Sequence, residues 1–376
     1  MAKASETGLK KSNRNLGIEV LRIISTFMVI ILHTLGSSSI HKQNTGTLLG
    51  SVLWLFEILC YCAVNCFAMT SGYVSCKSRF KISRLLNLWF QVTLICVIST
   101  VLLGLIAPEK VETIDYINMF LPILSDHNWY FTAFFGLSLF SPFLNLLMQN
   151  MTKNQHKYLL ALIFVLFSVF SVIPDISDLF HTNKGYSLLW LASMYIVGGY
   201  IRLHGVSNPA KKHRWLIGYF LSSGFVWLWY VLVYDVTKHI LDEVKYAGLF
   251  LKYTSPFIVF AAICLLKFFT STSITKGSKF ICTVSSLTFG VFIFHTQDLY
   301  WDYGLKAPVA AIADKGTLLI ILGVLLIALA TFVICGVASY LLMLLFKVAG
   351  INKFCDFVQN KLFCKASAML ESNTDK

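Results

Sequence analysis

Apolar residues run along this chain in long blocks, each closed by a cluster of charged or turn-forming residues. The blocks cover about residues 18–37, 50–74, 85–107, 128–149, 157–174, 186–201, 215–234, 253–269, 280–297 and 316–346. A helix needs about 20 apolar residues to cross the hydrocarbon core of a bilayer, where only helices and closed barrels satisfy their own backbone polar groups. Every block except the short sixth is long enough. The pattern predicts an all-α fold, a polytopic membrane helix bundle of about ten transmembrane helices over residues 18–346. A polar head, residues 1–17, precedes it and a basic tail, residues 347–376, follows it.

Composition removes the alternatives. Hydrophobic residues make up 57% of the 376 and charged residues only 13%, with a mean hydropathy of +0.71. A soluble domain carries about 25% charged residues, so a soluble globule is excluded. The net charge of +13 is scattered between apolar runs. It reads as juxtamembrane cations facing lipid head groups, with no nucleic-acid partner implied.

Orientation follows from alternate connections. One side holds 22 of the lysines and arginines and the other only eight, so both termini are expected in the cytoplasm. Twelve acids, from Glu109 to Asp314, fall on the cation-poor side, which agrees although they were not used in the count. All ten cysteines lie in blocks or on the cation-rich side, so no disulfide framework is implied. The first block is too long for a signal-peptide core, has no small-residue cleavage site after it, and carries Arg22 and His33.

Ionisable side chains inside spans are costly, and each is a candidate for function. Arg22 and His33 are eleven residues apart in the first block. On a helix they lie within about 20° of one face and about 16 Å apart along the axis. Glu19, Thr26 and Val29 continue that stripe, which makes a partly polar seam. The same residues also fit a snorkelling arginine and a helix-bridging histidine. After the second block, Lys81 and Arg84 share a face at i, i+3 beside Lys77 and Arg79. Such a cluster can grip phosphate oxygens or simply anchor the inner leaflet. Ser71-Gly72 permits close backbone approach.

Candidates on the opposite side are His295 at the end of the ninth block, Asp126-His127-Asn128 ahead of the fourth, and the Trp129-Tyr130 pair, which equally fits an interfacial aromatic belt. Glu57, about two turns below the outer surface, can pair with His33 or with another helix. There is no GxxxxGK[ST] phosphate loop, no HExxH helix and no paired CxxC, so ATP-driven transport and zinc proteolysis lack their machinery and no metal is expected.

Four ordered landmarks together carry a resemblance. The Arg22-x10-His33 pattern, "FAMTSGY" followed by a basic segment, "NWYFTAFFGLSLFSPFLN" and the late "SLTFGVFIFH" make the chain similar to the acyltransferase-3 family of bacterial integral-membrane acyltransferases, typified by enzymes that O-acetylate surface polysaccharides. The resemblance implies that Arg22 and His33 are needed for acyl transfer. The family's cytoplasmic R-x-x-R is matched here as Lys81-Ile82-Ser83-Arg84, and a lysine supplies charge without the bidentate fork of arginine.

The resulting expectation is a relay in the bacterial cytoplasmic membrane. Acyl-CoA, in the first place acetyl-CoA, meets Arg84, Lys81 and Arg22 from the cytoplasm. His33 acts as general base on a hydroxyl of a cell-surface glycan or lipid-linked sugar. Glu57 would orient His33, and His295, Trp129 and Asn128 would bind the acceptor or orient the reacting groups. A covalent acetyl-histidine is a variant of the same scheme. The competing reading is a polysaccharide or small-molecule transporter or flippase that uses the same seam as a path, and a non-catalytic scaffold is the third. Cysteines placed at Lys42 and Lys211 are expected to react with an impermeant thiol reagent from opposite faces of the membrane. Labelling from one face would overturn the span count.

Overall fold

The structure is a computed structural model, and it describes residues 15–124, 128–174, 178–205 and 209–363. It is all-helical among these residues, with no strand. The helices that build the bundle are α1 (Leu16–Ser38), α2 (Leu48–Cys60), α3 (Ala63–Ser75), α4 (Ile82–Ile106), α5 (Trp129–Asn150), α6 (Lys153–Ile163), α7 (Leu188–His204), α8 (Lys212–Leu241), α9 (Pro256–Thr270), α10 (Ser278–His295), α11 (Thr317–Val348) and α12 (Ile351–Leu362).

All ten apolar blocks are helical. Among the described residues, eight helical stretches are long and apolar enough to cross a membrane, with α2 and α3 counted as one and α6 extended to Val172. Two fall short. The sixth block forms α7, 17 residues long, and the eighth forms α9, 15 residues long. The eighth was expected to be long enough. It is shortened because Pro256 opens the helix and the preceding residues are drawn into a loop held by tertiary hydrogen bonds. The amide of Tyr253 donates to the Lys184 carbonyl (3.1 Å), and Asn65 Nδ2 and Ser168 Oγ donate to the carbonyls of Tyr253 (2.8 Å) and Thr254 (2.5 Å).

The second block is one apolar run but two helices. Tyr61 and Cys62 form a turn between α2 and α3. A break at membrane depth frees carbonyls that water cannot reach, so the protein has to satisfy them. Tyr219 of α8 donates its hydroxyl to the Leu59 carbonyl at 2.8 Å. Tyr61 itself reaches across to the Leu251 carbonyl at 3.2 Å. The break thus turns Glu57 and Tyr61 toward the bundle interior and fastens the loop before α9 over them.

α1 lies at the centre of the bundle. Its buried residues run from Gly17 to Leu35, and it packs against α3, α9, α10 and α11. Gly17 meets the Phe269 carbonyl so closely that a Cβ has no room there. The tightest pairing is α3 with α7. A Cβ on Gly72 would run into the Tyr195 carbonyl, and one on Gly198 into the Met69 carbonyl. Small residues replace the hydrophobic drive that lipid removes, because they let dispersion contacts form at backbone distance. Outside the bundle, α12 carries apolar residues on one side and lies under the start of α4. Gln359 accepts from the Ser83 amide at 2.9 Å, and Asn87 and Asn352 pair at 2.6 Å.

Gly198→Ala is expected to lower the thermal stability of the detergent-purified protein by about 1–3 kcal/mol through overpacking at α3 and α7. An unchanged melting profile would contradict the close approach.

Candidate active site

Two histidines 262 positions apart in sequence meet at the far end of α1. His33 Nδ1 and His295 Nε2 are 2.9 Å apart. His295 Nδ1 lies 2.8 Å from the Val291 carbonyl of its own helix. The carbonyl only accepts, so His295 Nδ1 carries the proton and donates. With both rings neutral, His295 Nε2 is then an acceptor, and His33 Nδ1–H donates to it. One consequence follows for reactivity: the free lone pair of His33 is on Nε2. Trp301 closes against the His33 ring edge-to-face, with centroids 5.4 Å apart.

His33 lines a cavity of about 590 Å³, whereas His295 is fully buried behind it. The rest of the wall is mainly aromatic, with Trp54, Tyr61, Trp129, Tyr186, Tyr253 and Trp301. The polar groups among the lining are His41, Lys42, Glu57, Asn128 and Thr296. Aromatic faces with a few convergent polar groups form a surface suited to a polyhydroxylated ligand. Glu57 Oε2 is buried and has no hydrogen-bond partner, which leaves an acceptor ready for a ligand hydroxyl. Asn128 Nδ2 donates to Thr296 Oγ1 at 3.0 Å, so its carbonyl oxygen is the end left for a ligand.

His41 lies just past α1, 2% exposed, with Nδ1 3.2 Å from the Leu35 carbonyl and its ring against Trp54. Burial pulls its imidazole down to about 4, so it is neutral at physiological pH. Lys42 beside it is exposed and brings a positive charge to the cavity wall.

Arg22 belongs to a different compartment. It lines a second cavity of about 300 Å³ with Ser71, Leu88, Phe134, Ser285 and Phe289. Glu19 on the same face of α1 holds the guanidinium at 3.3 Å, and Ser285 of α10 donates to the same carboxylate oxygen at 2.5 Å. Glu19 is therefore satisfied twice, which makes a buried carboxylate tolerable. Leu88 stands one turn above Arg84 on α4. Arg84 and Lys81 are exposed and form no ion pair among the described residues, Lys81 as the N-cap of that helix.

Five of the sequence candidates line the two compartments, and His295 supports one of them from behind. His33, Glu57, Asn128 and Trp129 line the larger, Arg22 the smaller, and Lys81 and Arg84 lie at the start of the helix that walls it. Two expectations change. Glu57 was expected to orient His33, but His33 donates its hydrogen bond to His295 instead. His295 was expected to bind the acceptor or to orient the reacting groups; it is fully buried, does not line the cavity, and lies against His33, the position of an orienting group. Asp126 and His127 lie outside the described residues. Sequence reading missed His41, Lys42, Tyr61, Tyr186, Tyr253, Trp54 and Trp301 as wall residues. Only the His41-Lys42 pair, directly after the His33 helix, carried a signal that could have found them. Among the described residues no group of three or more His, Cys, Asp or Glu side chains could hold a metal ion.

A family model for the acyltransferase-3 type, described as an acyltransferase domain, matches residues 15–341. No curated protein and no solved structure matches the chain significantly. The matched segment runs from the cap of α1 into α11 and so contains both compartments. The chain belongs to the acyltransferase-3 family and is a multi-pass membrane acyltransferase.

Proposed function

We propose that this protein moves an acyl group, acetyl in the first place, from cytoplasmic acyl-CoA to a hydroxyl of a cell-surface or lipid-linked glycan across the bacterial cytoplasmic membrane. The observation that carries the proposal is the free Nε2 of His33, fixed by the His295 and Val291 chain and presented to an aromatic cavity. A base with its tautomer locked from behind needs no reorganisation to take a proton.

The donor side rests on charge. The phosphates of CoA suit Arg84 and Lys81, which have no competing carboxylates among the described residues, while Arg22 stands further in beside a pocket narrow enough for a pantetheine arm. The rise of about 16 Å from Arg22 to His33 is comparable with the reach of that arm. The donor itself then stays on its own side, and only the thioester end advances.

In the reaction, His33 Nε2 takes the proton of the acceptor hydroxyl as its oxygen attacks the thioester carbonyl carbon. The tetrahedral species collapses with cleavage of the C–S bond, and the imidazolium returns its proton to the departing thiolate. Products are the ester and CoA thiol, and His33 is neutral again. His295 accepts from the protonated ring throughout, so the positive charge forms against a lone pair. Glu57 and Asn128 receive sugar hydroxyls, and the aromatic faces bury the sugar's C–H surfaces.

His33→Ala is expected to lower acyl transfer by about 10²- to 10⁴-fold, the usual contribution of a general base, without loss of membrane insertion. His295→Phe keeps ring volume but removes the acceptor behind His33. It is expected to cut kcat on the order of tenfold or more while KM for acyl-CoA stays constant, a split that a merely structural role would not give. Full activity in either variant would remove the proposed base or its support. Arg84→Ala is expected instead to raise KM for acyl-CoA by about tenfold, the loss of one charge-assisted contact. Flux of glycan without consumption of acyl-CoA would favour the transporter reading over all of these.

A further inference from the structure

The two compartments share three wall residues. Phe67 of α3, Tyr130 of α5 and Phe292 of α10 line both the His33 cavity and the Arg22 cavity. Their rings touch in series: Phe67 to Tyr130 at 6.0 Å between centroids and Tyr130 to Phe292 at 5.0 Å. Phe292 then meets His295 at 5.7 Å. The rings come from three different helices, and Tyr130 and Phe292 are buried. Because Arg22 and His33 stand about three helical turns apart on α1, a group shared by their two cavities lies between them. The three rings are the wall that the two cavities have in common.

We infer that Phe67, Tyr130 and Phe292 form the port through which the thioester enters the His33 cavity, and the seal that keeps unbound acyl-CoA out of it between turnovers. The inference rests on the acyl-relay reading and adds its gate. The physical need is specific. A neutral imidazole that activates a sugar hydroxyl activates water equally well, so a cavity that holds water in place of acceptor must be shut to the thioester from the donor side. Water that reached His33 would lose its proton to Nε2 while its oxygen attacked the thioester carbon. The C–S bond would break and CoA thiol would leave with the proton, giving free carboxylic acid and wasting the donor. Three apposed rings oppose this at little entropic cost, since each has only two side-chain torsions, and the unbranched β-alanyl-cysteamine end of the arm can still slip between them.

The test is acyl-CoA hydrolysis by purified protein without acceptor. Phe67→Ala is expected to raise hydrolysis by about tenfold or more over the wild type, because the opened wall lets the thioester reach water in the acceptor-free cavity. Phe67→Leu, which keeps most of the bulk, should stay near the wild-type rate. The double variant Phe67→Ala with His33→Ala should lose the added hydrolysis, which ties the leak to the base. Phe292→Ala opens the same wall from another helix and serves as the second variant should Phe67→Ala fail to elute as a folded species. Wild-type protein that transfers acyl groups, with both folded alanine variants hydrolysing at its rate, would overturn the port and leave the relay standing. Wild-type protein that transfers no acyl group from acyl-CoA would overturn the relay itself.

Discussion

The hydrogen bond between His33 and His295 is the contact on which the functional architecture depends. It joins the first helix to the tenth and fixes a tautomer at one end by a backbone carbonyl. A lone histidine in hydrocarbon would be an unsatisfied polar group costing several kcal/mol. Two of them in series satisfy three of their four ring nitrogens and leave one. That remaining nitrogen is the one the proposed reaction uses, on a residue that lines the larger cavity.

Much of the irregular structure serves this arrangement. The break at Tyr61 and Cys62, the shortened α9 and the loop before it all lie around the same cavity. Each interruption releases backbone groups, and each is repaid by a side chain from a distant helix: Tyr219 on the Leu59 carbonyl, Asn65 on Tyr253, Ser168 on Thr254. Asn65 also accepts from Trp190 at 2.8 Å, so its amide is used from both ends. Non-helical backbone at this depth is tolerated because it lines a cavity and is fully bonded. The close approach of α3 and α7 through Gly72 and Gly198 holds the wall that carries Phe67.

The polar groups are divided between the two compartments by charge type. The Arg22 side is cationic at its mouth, with one carboxylate, Glu19, already neutralised by Arg22 and Ser285. The His33 side holds neutral imidazoles, an unpartnered carboxylate oxygen and a rim lysine among aromatic faces. On the proposed function, this division would meet a polyanionic donor on one side and a polyhydroxylated acceptor on the other.

By itself the sequence determined the class of fold, since runs of apolar residues near bilayer length leave the backbone no alternative to helices. It also determined the Arg22 and His33 seam, because both lie on one helix and helical periodicity fixes their shared face. The family was legible from four ordered motifs for the same reason, as each is contiguous in the chain. What tertiary structure decided was which groups meet. No periodicity relates His33 to His295 across 262 positions, and nothing local distinguishes Glu57 from His295 as the partner. The break inside the second apolar run is equally invisible, because hydropathy does not record a carbonyl rescued by Tyr219. The aromatic wall escaped for a related reason: nothing local to Tyr61, Tyr186, Tyr253 or Trp301 records that folding turns them toward one space.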